Sequence, residues 1–244
     1  MKIIKLDAID STNSFLKDLS VKSKVDDFTV VVTSSQTLGR GQMNTKWESE
    51  AGKNLTFSVF IKLEKLHIEA QTYLNFAIAV SLFEALSKYE LPKLAVKWPN
   101  DILSDRKKIC GILIENSLKG FYIESSVVGI GVNVNQDYFT EALPNAVSIK
   151  NIINEELDLD TVLKSIIENL KKNIVLLKEK KFSLLEEQYL QVLYKKNVPS
   201  MFKNTQNVIF MGKIIGVNTS NGKLQIAFED ETISEFDLKE VSFL

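Results

Sequence analysis

LAVKWPNDILSDRKKICGILIEN, residues 94–116, predicts three short strands in a row. The apolar run at 94–96 predicts a buried strand, and Pro99 ends it because proline cannot donate to a sheet ladder. Asn100 and Asp101 then favour a turn. A strand pair follows, with Ser-Asp-Arg-Lys as its own turn.

Lys108 is the last cation before the apolar run at 109–114. Its ammonium either reaches solvent along its flexible stem or faces a ligand. If the run is a strand, Lys107 points to the opposite face, so only one of the two lysines can face a ligand. Cys110 lies inside the same run, which favours packing over reactivity. A single cysteine cannot form an intramolecular disulfide, which fits a reducing compartment.

Length and composition indicate an ordinary globular protein. The chain has 244 residues, enough for one large domain and a small second one. Its net charge of −1 argues against a dedicated nucleic-acid binder, which usually carries a basic excess. The N-terminus is too charged for a signal peptide, and no run approaches the ~20 apolar residues of a membrane helix. We expect a cytoplasmic protein with no DNA or membrane partner.

The hydrophobic pattern predicts an α+β fold in which strands and helices form one large unit. Ser11 or Thr12 should cap a helix of about ten residues. The segment 71–89 is apolar around most of its circumference, which predicts a central buried helix. Further helices are expected at 158–179 and 182–194. Further strands are expected at 3–6, 28–34, 55–63 and 120–131.

The pattern changes after Pro199. Short strands are predicted at 208–211, 213–218, 223–228 and 232–236, and Asn221-Gly222 predicts a hairpin turn. A five-stranded mini-barrel fits the last ~45 residues. We therefore divide the chain into residues 1–196 and 197–244.

A second motif, SSQTLGRGQMNTKW at residues 34–47, follows a predicted strand. The glycines on either side of Arg40 allow backbone amides and a guanidinium to crowd around one anion. A solitary Gly-Arg-Gly is more often a solvated turn. Trp47 closes the motif, either as a hydrophobic plug or as a ligand contact.

Two further motifs carry polar or glycine residues at element ends. Ser11-Thr12-Asn13 predicts a helix cap whose free amides and hydroxyls can also receive a polar ligand group. Gly129-Ile130-Gly131 is not a dinucleotide fingerprint, because no strand–helix–strand unit surrounds it. It predicts a bulged or closely packed strand end. The only histidine, His67, falls in a charged connector, which argues against a histidine triad or zinc site, and we expect no metal site.

Together these motifs resemble the biotin protein ligases, also called biotin–[acetyl-CoA-carboxylase] ligases. The resemblance covers residues 1 to about 195 in order, and the C-terminal segment is similar to the SH3-like domain of bacterial members. It implies a class II synthetase-like catalytic domain with a mixed or antiparallel sheet and packed helices. The motifs begin within the first dozen residues, so the chain resembles the monofunctional type without an N-terminal DNA-binding domain.

The resemblance implies an activity in two steps. Biotin and ATP give biotinyl-5′-adenylate and pyrophosphate, and a lysine of a biotin carboxyl carrier protein domain then attacks the mixed anhydride. ATP and Mg²⁺ would enter as substrate and counter-ion, with no tightly bound cofactor. The partner would be the carrier domain of a biotin-dependent carboxylase, and the enzyme would be a monomer or homodimer.

The resemblance also assigns residues. Lys108, Arg40 and Asp101 would be catalytic: the two cations would neutralise carboxylate and phosphate, most effectively when preorganised away from water. Asp101 would orient or deprotonate the acceptor lysine, whose usual pKa of about 10.4 leaves it mostly unreactive. The implied biotin contacts are Ser11, Thr12, Asn13, Gln36, Gly39, Arg40, Gly41, Gln42, Lys108, Gly111 and Gly129. The implied ATP or adenylate contacts are Trp47, which would pack on the adenine, Lys97, Asn100, Gly131 and Asn133.

The loop departs from the family pattern. Some members have Gly-Arg-Gly-Arg-Arg-Gly-Arg, whereas this chain has Gly-Arg-Gly-Gln-Met-Asn-Thr. Gln42 replaces an arginine linked to holding the adenylate, and Lys46 or Lys97 is the alternative source of that charge.

Two rival functions remain open. A lipoate-protein ligase shares the fold, although the Gly-Arg-Gly loop with Trp47 and Lys-Trp-Pro-Asn-Asp favour biotin. A non-catalytic biotin-sensing module is disfavoured by the intact cations.

Overall fold

The main sheet contains seven strands. The computed structural model describes residues 2–244, apart from the side chain of Asn44. The strands are β1 (Ile3–Ile9), β2 (Thr29–Gln36), β3 (Leu55–His67), β4 (Ala95–Lys97), β5 (Asp101–Ser104), β6 (Lys107–Lys119) and β7 (Tyr122–Val132). Their order is β1-β2-β3-β7-β6-β5-β4. Only β1 and β2 are parallel among these pairs, so the mixed sheet expected from the sequence is confirmed.

Helices cover both faces of this sheet. They are α1 (Thr12–Lys22), α2 (Gln71–Ser87), α3 (Ile149–Ile153), α4 (Leu159–Lys178) and α5 (Phe182–Val192). α2 is the predicted central helix, packed between the sheet and α4 and α5 in the main core. α1 lies on the other face, where Leu16 joins Val31, Phe60 and Val127 in a smaller core. α3 was not predicted. Among the described residues, no helix is both long and apolar enough to cross a membrane.

The segment 94–116 forms β4, β5 and the start of β6, as predicted. Asp105 and Arg106 alone connect β5 to β6, with φ angles of 42° and 70°. Two-residue hairpin turns favour positive φ at both central positions, because that twist matches the flanking strands. Lys107 is exposed and Lys108 is partly buried, as strand alternation requires.

A second sheet follows at the C-terminus. Its strands are β8 (Ser200–Asn204), β9 (Ile209–Val217), β10 (Leu224–Ala227), β11 (Ile233–Phe236) and β12 (Val241–Phe243), in the order β11-β10-β9-β8-β12. The five-stranded count is confirmed, and stacked phenylalanines fill the interior. Two predicted strands, 208–211 and 213–218, are one continuous β9. β8 and β12 had not been located from the sequence.

Of two further local predictions, one is confirmed and one was wrong. The hairpin turn expected at Asn221-Gly222 joins the antiparallel strands β9 and β10, and Gly222 has a positive φ of 76°. Asn218 begins this loop and accepts the amide of Ser220 through its side chain, which forms a turn before Gly222 is reached. His67 is not in a connector but ends β3, opposite Tyr122, because β3 continues past an irregularity after Lys62.

Candidate active site

A row of paired residues crosses the face of the sheet that carries α1. Thr56, Gly131, Gly111 and Asp101 are direct neighbours in register on β3, β7, β6 and β5. Directly paired residues project from the same face. The two glycines therefore leave a trough in the sheet between the Thr56 and Asp101 side chains.

The indole of Trp47 occupies this trough. A Cβ atom at Gly131 would overlap the indole, and one at Gly111 would lie 3.0 Å from indole Cζ3. A Cβ atom at Gly129, two residues earlier on β7, would overlap the Asn13 side chain. The closely packed strand end predicted at 129–131 is thus confirmed, and its glycines allow Trp47 and Asn13 to approach the sheet.

Lys108 extends over the same trough. Its Nζ lies 2.6 Å from Asp101 Oδ1 and 5.7 Å from the Trp47 ring centroid. Its backbone is fixed by the amide of Lys108, which donates to Asn145 O (2.6 Å), and by Asn133 Nδ2, which donates to Lys108 O (3.3 Å). Of the two orientations left open by the sequence, the ammonium takes the one toward the cavity.

A polar network joins the N-terminus of α1 to the sheet. Ser11 is the N-cap and accepts the amide of Ser14. The amide and hydroxyl of Thr12 donate to Gln36 Oε1 at 2.8 and 3.1 Å. Ser58 Oγ donates to Asn13 Oδ1. These side chains are mostly buried, so their orientations are fixed by hydrogen bonds.

The loop between β2 and β3 covers one side of the cavity. The amide of Gly41 donates to Thr45 O and the amide of Trp47 donates to Gly39 O, which folds residues 39–47 back on themselves. Arg40 projects from this loop to Glu115 on β6, with Nη2 2.8 Å from Oε2. The sequence had not assigned Glu115 a role.

These elements enclose a cavity of about 270 Å³. Most of the residues named from the sequence line it. Those lining residues are Ser11, Thr12, Asn13, Gln36, Arg40, Gly41, Gln42, Trp47, Asn100, Asp101, Lys108, Gly111, Gly129 and Gly131. The fold thus brings motifs that are up to 120 positions apart in the sequence to one cavity.

Three predicted residues lie outside this lining. Gly39 lines an adjoining cavity on the other side of the loop. Lys97 Nζ lies 5.8 Å from the ring of Phe243 on β12. Asn133 is 3 % exposed and bonds to the backbone of Lys108 and Ile109. Any effect of Asn133 on the cavity therefore passes through the backbone that carries Lys108.

Several lining residues were missed by the sequence. Thr56 is 5 % exposed, and its hydroxyl has no hydrogen-bond partner within residues 2–244. The alternation of side chains along β3 could have indicated that Thr56 projects from the same face of the sheet as Gly131. Lys46, one of the two alternative charge sources named from the sequence, also lines the cavity. Leu238 and Lys239 reach the cavity from the C-terminal sheet, and Lys239 Nζ is 3.5 Å from Met43 O. No local pattern at 238–239 signals that contact.

The cavity suits an anionic ligand. Arg40, Lys46, Lys108 and Lys239 line it, and Asp101 is the one carboxylate among the described lining residues. Where the structure describes side chains, no group of three or more His, Cys, Asp or Glu residues could hold a metal ion. Cys110 is fully buried, and burial raises the pKa of its thiol far above its usual value, so it stays protonated and packs as predicted.

Comparisons with known proteins agree with this geometry. The family model described as "Biotin/lipoate A/B protein ligase family" matches residues 6–133. The bifunctional ligase/repressor BirA of Bacillus spizizenii is 31% identical over 168 residues, 68% of this chain and 51% of that protein. The biotin--[acetyl-CoA-carboxylase] ligase of Mycobacterium tuberculosis is 28% identical over 181 residues, 70% of this chain and 64% of that protein. The chain thus spans about half the length of the BirA relative.

A solved structure covers nearly the whole of both chains. The biotin protein ligase from Aquifex aeolicus, in complex with biotin and ATP, superimposes with a TM-score of 0.81 and 28% identity over 100% of this chain and 98% of that one. The matched residues include β6 and β7, which carry the cavity glycines, the Gly-Arg-Gly loop and Lys108. Since that match takes in more than half of the sequence, the chain belongs to the biotin/lipoate A/B protein ligase family.

Proposed function

We propose that this protein is an ATP-dependent biotin–protein ligase. It activates biotin to biotinyl-5′-adenylate and transfers the biotinyl group to a lysine of a biotin carboxyl carrier domain. The main support is the arrangement of Lys108, Asp101 and Arg40 around one cavity, in a fold similar to a ligase solved with biotin and ATP. The biotin carboxylate would meet the α-phosphate near Lys108, beside the Trp47 indole that Gly111 and Gly131 accommodate.

The first step joins two anions. A carboxylate oxygen of biotin attacks the α-phosphorus, and pyrophosphate leaves with the electrons of the broken P–O bond. Lys108 and Arg40 would offset the repulsion between the reactants and stabilise the charge that develops in the transition state. Mg²⁺ would arrive on the ATP phosphates as their counter-ion.

The second step transfers the acyl group. The amine of the acceptor lysine attacks the carbonyl carbon of the adenylate, and AMP leaves. Asp101 would accept the proton that the amine loses or would orient the amine for attack. The 2.6 Å contact between Asp101 and Lys108 supports a shared site in which Lys108 acts at the phosphate in the first step and Asp101 at the amine in the second.

The remaining contacts divide between the two ligands. The network of Ser11, Thr12, Asn13 and Gln36 supplies fixed donors and acceptors for the polar ring of biotin. Trp47 would pack on the adenine, with Asn100 and Gly131 nearby. We also propose that residues 1–196 form the catalytic domain and 197–244 a separate SH3-like domain, since the two segments form two sheets.

The closest rival substrate is lipoate, because the family includes lipoate ligases. A competition experiment separates the two. The protein is incubated with Mg-ATP, a carrier domain and equal concentrations of biotin and lipoate. We expect mass spectrometry to detect the biotinyl group on the carrier. Predominant lipoylation would reject biotin as the substrate. If neither biotin nor lipoate led to release of pyrophosphate, acid activation itself would be rejected.

A further inference from the structure

Glu115 joins three separate elements at the edge of the cavity. Its carboxylate receives Arg40 from the β2–β3 loop in a two-pronged contact, with Nη2 to Oε2 at 2.8 Å and Nη1 to Oε1 at 3.4 Å. Asn13 Nδ2, at the start of α1, donates to Oε2 at 2.9 Å. Lys17 Nζ of the same helix lies 3.7 Å from Oε1. Glu115 is only 20% exposed on its side chain, so these contacts are partly shielded from water.

The loop has few other connections to the fold. Leu38 and Met43 are 68% and 56% exposed, so neither anchors it by burial. Between residues 37 and 46, where side chains are described, the Arg40–Glu115 contact is the only side-chain hydrogen bond that leaves the loop. Lys239 approaches from outside, 3.5 Å from Met43 O. Backbone bonds from Thr37 and Leu38 to residues 9 and 10 hold the start of the loop, and the packed indole of Trp47 holds its end. Glu115 is therefore the side-chain attachment of the middle of the loop.

Asn13 depends on the same carboxylate. Its Nδ2 is held by Glu115 and its Oδ1 receives Ser58, so the side-chain amide cannot rotate without losing both bonds. The ring of contacts lies against Gly129, where there is no room for a Cβ atom. One carboxylate thus fixes two groups that line the cavity, a cation on the loop and an amide on α1.

We propose that Glu115 is a positioning residue for biotin: it holds Arg40 and Asn13 where the ligand meets them and keeps the loop in place. The proposal rests on the proposed function for its ligand. The proposal predicts a change in biotin affinity opposite in direction to the one that charge alone predicts. Removing a negative charge beside a cavity for anions should strengthen anion binding, whereas loss of a positioning contact should weaken it.

Glu84 offers a matched control far from the cavity. It also receives one cation and one asparagine, Lys172 Nζ at 2.8 Å and Asn173 Nδ2 at 2.8 Å, between α2 and α4. Its side chain is 26% exposed, close to the value for Glu115. Glu84→Gln and Glu115→Gln therefore remove the same kinds of bond, and any general loss of stability should be similar in both.

The experiment measures biotin affinity by titration calorimetry in the full-length protein. We expect Glu115→Gln to weaken biotin binding roughly tenfold, about 1.4 kcal/mol, and to raise KM for biotin more than it lowers kcat. Glu115→Asp should recover part of the affinity because it restores the carboxylate. Glu84→Gln should bind biotin as the wild type does. In an Arg40→Ala background, Glu115→Gln should have a smaller effect than in the wild type.

A second measurement is independent of the ligand. Trypsin should cut after Arg40 or Lys46 faster in unliganded Glu115→Gln than in wild type or Glu84→Gln. Equal cleavage rates, or biotin affinity that is unchanged or tighter in Glu115→Gln, would overturn the proposal. A wild-type protein that binds no biotin would instead overturn the proposed function, while the cleavage result would still decide whether Glu115 holds the loop.

Discussion

Lys108 is the residue on which the proposed first step depends most. We predict that Lys108→Ala abolishes adenylate formation while the fold survives, because the side chain is 34% exposed and its removal leaves no buried void. Loss of a charged contact to a developing anion raises the barrier by about 3 kcal/mol or more. Pyrophosphate release measures the effect. Lys107→Ala, on the opposite face, is the control and should be near normal. Near-normal release from folded Lys108→Ala would refute the assignment.

Gln42 lines the cavity where some family members have arginine. A neutral hydrogen bond is about half as strong as a charge-assisted one. We predict that Gln42→Arg slows dissociation of the adenylate while changing biotin affinity less. Equal dissociation rates would mean that position 42 does not control retention. Of the two alternative cations, Lys46 lines the cavity but Lys97 packs on Phe243, so Lys46→Ala is the informative companion variant.

The sequence predicted residues whose position follows from local rules. The cap pattern placed Ser11, and alternation put Lys107 and Lys108 on opposite faces. The register shift that skips Ile109 is what brings Lys108 to the face of Gly111, and alternation does not predict it. The sequence did not predict that Lys97 lies beside Phe243, because that ring comes from a strand almost 150 residues later. Glu115 was missed for a similar reason. Its partners Arg40 and Asn13 are brought to it by the sheet register and by α1, neither of which is visible at position 115.

At the scale of elements, the loop at 39–46 is the part most open to change. It has two glycines and few buried apolar side chains, so its ordered form is only weakly favoured without ligand. We predict that biotin or its adenylate orders it and so excludes water from a hydrolysable anhydride. Limited proteolysis with and without biotin tests this. Protease sensitivity that biotin leaves unchanged would count against it.

The C-terminal sheet contains an acid-sensitive contact. Glu235 on β11 accepts the side-chain amides of Asn218, Asn221 and Gln225, which lowers the pKa of its carboxyl. The contribution of these hydrogen bonds to the free energy of unfolding is fully present above the usual glutamate pKa of about 4.3. It is lost as the pH falls through the lower pKa that Glu235 has in the folded protein. We predict that Glu235→Gln is less stable than wild type at pH 7 and that the difference shrinks in acid.

Denaturant unfolding at pH 7 and at about pH 3 tests this linkage. Glu229→Gln, in the exposed connection before β11, is the control and should match the wild type at both pH values. A stability difference for Glu235→Gln that stays constant with pH would show that the hydrogen bonds do not depend on the charge.

Elements with a complete local signal were predicted best. α2 and α4 have long apolar faces, and β6 is a long strand after a compact turn. β12 has three residues and pairs with β8, and β8 has five and pairs with both β9 and β12. The hairpin expected at Asn221-Gly222 is present, because its turn residues are a local signal. Short strands are instead set by their pairing partners rather than by their own composition.

At the scale of the whole molecule, the two sheets meet beside the cavity. Trp98 Nε1, in the central motif, donates to Gly222 O of the C-terminal sheet at 3.0 Å. The turn before β12 brings Leu238 and Lys239 to the cavity lining. The sequence predicted both sheets but not this junction, because it consists of single contacts between residues more than 100 positions apart. The C-terminal sheet thus completes one wall of the candidate active site.

The central claim is that one cavity activates biotin and passes it to a carrier lysine. Mass spectrometry of a biotin carboxyl carrier domain after incubation with the protein, biotin and Mg-ATP tests it most directly. We predict a mass increase of one biotinyl group on one lysine, which requires ATP and is absent with Lys108→Ala. An unmodified carrier, despite a folded protein and intact substrates, would contradict the account.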